Sequence, residues 1–204
     1  MYYKLLNDTS SNTKFKSLFT FLSEKMNESV SDVVDINYVY SSLLAQVKEG
    51  LELPEWSRVV FPEKLLPFYT LSLALLSYNE SMQRLRVGPL LNEFRNHFED
   101  VINKKGDRKL FIYSGHDVNV VSLWRAVGFQ EMVDPEYGAS LAIELHQENN
   151  ENEFYVKVFF RNNTSIKPLE LNLPHCNSPC RYNDFMNHIN KLIPLDWHKE
   201  CKNK

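Results

Sequence analysis

Apolar residues in the first hundred positions recur every three or four places, the spacing of amphipathic helices. Phe15, Leu18, Phe19, Leu22 and Met26 line one face after Ser11-Asn12, a capping pair. Ile36, Val39, Tyr40, Leu43, Leu44 and Val47 repeat the pattern, with Asp35 near the start and Gly50 as a stop. The two predict a helical hairpin. Residues 51–67 are punctuated by Pro54, Pro62 and Pro67 and predict a connector. Lys64 to Tyr78 is apolar nearly all round, which predicts a helix buried on several faces. Gly88-Pro89 opens a further helix with Leu90, Leu91, Phe94, Phe98 and Val101 on one side, and 104–107 is a turn.

The period then changes. Leu110-Phe-Ile-Tyr113 is a short apolar run suited to a buried strand. Ser114-Gly-His-Asp117 follows as a polar loop, and Val118 to Val127 predicts a helix ended by Gly128. Leu141, Ile143 and Leu145 alternate with smaller or polar residues, as do Phe154, Val156, Val158 and Phe160 after an Asn/Glu turn at 148–153. This is a hairpin whose strands join the same sheet. Tyr182, Phe185, Met186, Ile189 and Leu192 predict a terminal helix stopped by Pro194. Helices covering a sheet is an α/β arrangement.

Composition narrows the partners. The 204 residues carry a net charge of −3 and no basic run, so neither nucleic acid nor an anionic membrane surface is indicated. The longest apolar stretch, around Leu71 to Leu76, is too short to span a bilayer. Asn-x-Ser/Thr sequons at Asn7, Asn27, Asn79, Asn162 and Asn163 point to a secretory route. Met1-Tyr-Tyr-Lys-Leu-Leu-Asn has no apolar signal core, so the protein is either not secreted or begins further upstream. Of three cysteines, Cys176 and Cys180 bracket a Pro-containing turn and either pair locally or stay as thiols; Cys201 is the odd one.

Chemistry concentrates in the loop 114–117. In open α/β sheets ligands collect beyond the carboxyl ends of strands, and a helix N-terminus there favours anions such as phosphate. Gly115 permits close backbone approach. His116 can donate to a phosphoryl oxygen, and a protonated Asp117 can give its proton to a leaving alcohol. From the residues alone the plainer reading stays ahead: Asp117 caps the helix and His116 is a polar strand-end residue.

The surrounding words bear on that choice. Lys109-Leu-Phe-Ile-Tyr-Ser-Gly-His-Asp117, with Ala126-Val-Gly-Phe129 after its helix, resembles the second signature of the histidine acid phosphatases, which include prostatic, lysosomal and insect-venom enzymes. Leu53-Pro-Glu-Trp56, Arg84-Leu-Arg-Val-Gly-Pro-Leu-Leu-Asn-Glu93, Tyr137-Gly-Ala-Ser-Leu-Ala-Ile-Glu-Leu-His146 and Val158-Phe-Phe-Arg-Asn-Asn-Thr164 also resemble family segments. So do Leu173-Pro-His-Cys-Asn-Ser-Pro-Cys180 and Pro194-Leu-Asp-Trp-His-Lys-Glu-Cys201. The flavour is nearest the venom acid phosphatases.

The resemblance implies a histidine phosphatase fold: an incomplete mixed sheet flanked by helices in 61–204, with 1–60 as part of a helical cap. It implies hydrolysis of phosphate monoesters, small or on proteins, through a phosphohistidine. His116 then contacts phosphate and Asp117 donates the proton. The family's nucleophile lies in an Arg-His-Gly signature that none of the six histidines here occupies; His97 falls on a helix, His146 ends a strand, and His175, His188 and His198 read as surface residues. The chain is therefore expected to be an N-terminally truncated member with negligible turnover, or else a non-catalytic secreted relative that binds a phosphorylated ligand or protein partner. The resemblance also implies a Cys176–Cys180 disulfide, an upstream partner for Cys201, no metal or other cofactor, a secreted or lysosomal location and a homodimer.

Overall fold

A computed structural model describes residues 13–148 and 153–202, so Asn7, the Ser11-Asn12 cap and the middle of the 148–153 turn lie outside the described residues. The chain divides into two compact units, Met1–Leu75 and Leu76–Lys204, and the boundary expected at 60 falls inside the first.

In the first unit α1 (Thr13–Met26) and α2 (Val33–Lys48) form where the apolar stripes place them. Asp32 starts α2: its carboxylate accepts the Val34 and Asp35 N–H groups at 2.7 and 3.0 Å, while Asp35 accepts the Asp32 N–H at 3.3 Å. This reciprocal capping satisfies donors that a helix start leaves open. A 3₁₀ turn at Glu55–Val59 breaks the connector, and α3 (Leu66–Leu75) packs against α2. Tyr40 stacks on Tyr69 with ring centroids 4.4 Å apart, and Asn37 donates to Ser72 Oγ at 2.7 Å. The hydrogen bond lets two polar side chains sit in a largely apolar seam.

The second unit begins with α4 (Glu80–Arg86), a short helix the apolar pattern does not reveal, and α5 (Gly88–Ile102). Asn79 Oδ1 caps α4 by accepting the Met82 N–H at 3.1 Å. After α6 (Asp117–Ala126) come β1 (Ser140–Gln147), β2 (Phe154–Arg161), β3 (Leu169–Leu171) and β4 (Cys180–Arg181), then α7 (Tyr182–Ile189) and α8 (Trp197–Lys202). β2 pairs with β1 along one edge and with β3 and β4 along the other, all antiparallel. Register places Leu141, Ile143 and Leu145 opposite Phe160, Val158 and Val156. That face meets Leu123, Val127, Phe185 and Ile189, so one side of the sheet is closed by α6 and α7. Cys176 and Cys180 are disulfide-bonded beside it, and Cys201 is a free, half-buried thiol.

The sheet is small and open, and Leu110–Tyr113, expected as a buried strand, is not part of it. Residues 105–116 form no regular secondary structure. Leu110 is 71% and Ile112 82% exposed. A strand exists only through a ladder partner, and among the described residues none lies beside this run.

Two of the motif words meet in space. Arg84 holds Glu200 through two parallel N–H bonds of 2.6 and 2.7 Å and also donates to the Lys191 carbonyl at 2.7 Å. Trp197 Nε1 donates to the Leu85 carbonyl at 2.8 Å. Together these fix α8 to α4. Gly88 sits where the chain passes closest: a Cβ there would overlap the Leu192 carbonyl oxygen and Pro194 Cδ. Gly88→Ala is therefore expected to destabilise the protein by about 2–3 kcal/mol, since backbone atoms rather than a flexible side chain must yield. Thermal denaturation beside the wild type checks it, and an unchanged midpoint would remove this contact from the account.

Candidate active site

The loop 114–117 ends at the first residue of α6. His116 has an extended backbone (φ −111°, ψ 169°), and its carbonyl accepts the N–H groups of Asn119 and Val120 at 2.9 and 3.2 Å. Its own N–H donates to Asn119 Oδ1 at 3.0 Å. The helix start is thus closed from inside by Asn119, a residue that sequence reading passed over. Gly115 makes room for it: a Cβ there would lie 3.3–3.4 Å from the Asn119 side chain. Asp117 is the first helical residue, and its Oδ1 accepts the Val118 N–H at 2.7 Å. The capping position falls to His116 instead, so Asp117 is not the cap that the plainer reading made it. His116 is exposed and Asp117 half-buried, side by side at the positive end of the α6 dipole.

Upstream of the loop, the chain is attached to α5 through side chains. The Tyr113 hydroxyl donates to Glu93 Oε2 at 3.1 Å and lies 2.9 Å from His97 Nε2. Phe94 meets the Tyr113 ring edge-on at 5.4 Å. The His97 ring stacks on Phe111 at 3.6 Å and 12°. Burial, then the hydrogen bond to Glu93, raises the Tyr113 phenol above its usual range, so it stays a donor.

The far end of α6 is anchored by Arg125, only 5% exposed. Its guanidinium donates to the Ser77 carbonyl at 3.0 Å, the Tyr78 carbonyl at 3.1 Å, and the carbonyl and side-chain oxygen of Gln130 at 3.2 and 3.1 Å. Burial lowers its pKa below the ordinary arginine value. Position 125 lies four residues after the buried Val121, so the helical period could have marked it as inward-facing. A cavity of about 270 Å³ lies here, lined by Arg125, Gln130, His188 and Lys191 among others, away from the 114–117 loop.

The remaining histidines divide. His97 lies on α5, His146 lies in β1 beside Glu144 at 2.8 Å, and His198 is exposed. His175 and His188 are not surface residues as expected. They stack at 3.7 Å and 11°, half-buried, with His188 Nε2 3.0 Å from the Ala126 carbonyl. Both ring nitrogens of His175 are buried without a hydrogen-bond partner among the described residues. Burial, then His188 and Lys191, lowers its pKa to about 4. Among the described residues no three His, Cys, Asp or Glu side chains converge to hold a metal ion. Nor is any helix among them long and apolar enough to cross a membrane.

Of the sequons, Asn27 is exposed at the end of α1 with φ 51°. The Asn79 carboxamide caps α4, Asn162 Oδ1 accepts the Glu136 N–H at 3.3 Å, and Asn163 donates to Glu136 at 3.0 Å.

Residues 3–161 match the model of the histidine phosphatase superfamily, branch 2. A venom acid phosphatase of Apis mellifera is 30% identical over 192 residues, covering 93% of this chain and 49% of the relative. A lysosomal acid phosphatase of Rattus norvegicus is 32% identical over 167 residues (80% of this chain, 39% of the relative). A prostatic acid phosphatase of Bos taurus is 31% identical over 166 residues (80% and 42%). The chain thus spans half or less of these relatives' length. With a match over most of its residues, helices flanking an open sheet, and adjoining His116 and Asp117 at a helix start, the chain belongs to branch 2 of the histidine phosphatase superfamily.

Proposed function

We propose that this chain carries the leaving-group side of an acid phosphatase site for phosphate monoesters, small or on proteins. The observation that supports it most is the pairing of an exposed His116 with Asp117 at the N-terminus of α6, within a chain similar to enzymes named acid phosphatases. His116 hydrogen-bonds a phosphoryl oxygen, and the helix dipole favours the same anion. A nucleophilic histidine from an Arg-His-Gly segment attacks phosphorus. As the ester P–O bond breaks, the Asp117 carboxyl proton passes to the departing alkoxide. Water then attacks the phosphohistidine, and the Asp117 carboxylate takes its proton, restoring the acid. No Arg-His-Gly occurs in these 204 residues, so the nucleophile comes from outside them. The lysosomal and venom relatives make a lysosomal or secreted setting the fitting one, with Asn27 the exposed glycan acceptor among the described residues.

The missing signature also favours a second reading, a relative that binds phosphorylated ligands without turning them over. One experiment tests the site that both readings share. The purified chain, Asp117→Ala and His116→Ala are given an aryl phosphate near pH 5, and inorganic phosphate binding is measured in parallel. The expected result is no turnover, with phosphate binding weakened about tenfold or more in His116→Ala, the effect of losing one charge-assisted hydrogen bond. Turnover abolished by Asp117→Ala would place a nucleophile inside this chain and overturn that part of the mechanism. Phosphate binding indifferent to His116 would overturn the site.

A further inference from the structure

The 114–117 loop is reached along a segment with no ladder to hold it. Among the described residues, none from 106 to 115 makes a backbone–backbone hydrogen bond. Side chains must therefore set the approach to His116, and they come from one turn of α5. We propose that Glu93 and His97 clasp Tyr113 and thereby make it a positioning residue for His116 and Asp117; the inference rests on the phosphate-handling role given to that pair above.

The geometry assigns each proton. A phenol has one hydrogen, and Tyr113 gives it to Glu93 Oε2 at 3.1 Å. His97 Nε2, 2.9 Å from the same oxygen, then has to be the protonated ring nitrogen and donate to it. The hydroxyl is held from two sides, so the ring is fixed in rotation as well as position. Glu93 and His97 are four residues apart on α5 and share a face. The same imidazole stacks on Phe111 at 3.6 Å, and the Arg108 guanidinium lies 5.5 Å from that ring. One histidine thus touches two alternate residues of the approach, 111 and 113. Three residues past Tyr113, the Asn119 carboxamide takes the His116 N–H. The loop is fastened at both ends, and only the Tyr113 end depends on another helix.

If Tyr113 merely packed, its ring on Phe94 would suffice and the hydroxyl would be dispensable. Tyr113→Phe tests this while keeping the ring. In the 204-residue chain it is expected to speed hydrogen exchange of the His116 amide, the N–H held by Asn119 Oδ1, leave the thermal midpoint within about 2 °C, and weaken inorganic phosphate binding about five- to tenfold. Glu93→Ala should match it. Glu93→Gln, whose amide oxygen still accepts the phenol proton, should recover most of the wild-type behaviour. Unchanged exchange in both Tyr113→Phe and Glu93→Ala would overturn the clasp, as would failure of Glu93→Gln to recover what Glu93→Ala loses. Should the wild type bind no phosphate, the reading of His116 falls. The exchange data would still decide whether Tyr113 holds the loop.

Discussion

Replacing Arg125 with methionine is expected to destabilise the fold by about 1–3 kcal/mol, the range for leaving carbonyl acceptors without their donor. Among the described residues no carboxylate balances this guanidinium; backbone and amide oxygens of Ser77, Tyr78 and Gln130 surround it instead. Methionine fills similar volume, so the loss is of hydrogen bonds rather than packing. The Ser77 carbonyl would keep a partner, because Gln83 Nε2 also donates to it at 3.0 Å. The Tyr78 and Gln130 carbonyls, part-buried on exposed residues, lose their guanidinium donor and turn in part to water, which holds the loss to about 1–3 kcal/mol. Arg125→Lys should recover less than half, since an ammonium is a point donor that cannot span oxygens facing three N–H directions. Urea denaturation of the three proteins measures this. A loss under 1 kcal/mol for methionine would mean water replaces the guanidinium easily.

Acid should weaken the same unit, and His175 gives the sign. Its folded pKa is lowered from 6.5 to about 4 by burial and by its cationic neighbours. The unfolded chain therefore takes up a proton that the folded chain refuses. Stability is full above about pH 6.5 and falls as pH drops through the interval between the two values, levelling off below about 4. His188 is shifted in the same direction, again mainly by burial. The groups around the pair give little relief to His175: Lys191 opposes protonation and the Phe185 ring is apolar, while the Ala126 carbonyl and, less strongly, Glu80 favour a positive His188. A tenfold change in proton affinity is worth about 1.4 kcal/mol, and the site is only half-buried, so a loss on the order of 2 kcal/mol between pH 7 and 4.5 is expected. Denaturation curves at the two pH values read it out, and His175→Phe should flatten the difference. An equally steep fall in His175→Phe would assign the acid sensitivity to other groups.

The sequence made the repeating elements legible and left the paired ones hidden. Helices α1, α2 and α5 each carry a stripe long enough for its period to be read, and the alternation of β1 and β2 was equally plain. β3 and β4, with three and two residues, are too short to show any period. Leu110–Tyr113 failed for a different reason: its composition is that of a strand, but strand formation also needs a neighbour, which no local pattern contains. The His175–His188 stack and the Tyr113–Glu93 contact join residues far apart in sequence, and nothing near either residue announces the other. At the site, the motif located His116 and Asp117 on a helix start. It did not show that Asn119 closes the loop or that Arg125 anchors the helix.

The bare approach segment has a thermodynamic consequence. Among the described residues, 106–115 make no backbone–backbone hydrogen bond, so the fraction of time His116 spends in its binding-competent arrangement rests on the side-chain fastenings at Tyr113 and Asn119. A ligand that needs this state shows its intrinsic dissociation constant divided by that fraction. If the fraction were one in ten, phosphate would bind about ten times more weakly than the contacts imply. Whatever later pairs with Leu110–Tyr113 would raise affinity at His116 without touching the ligand, simply by removing the alternatives.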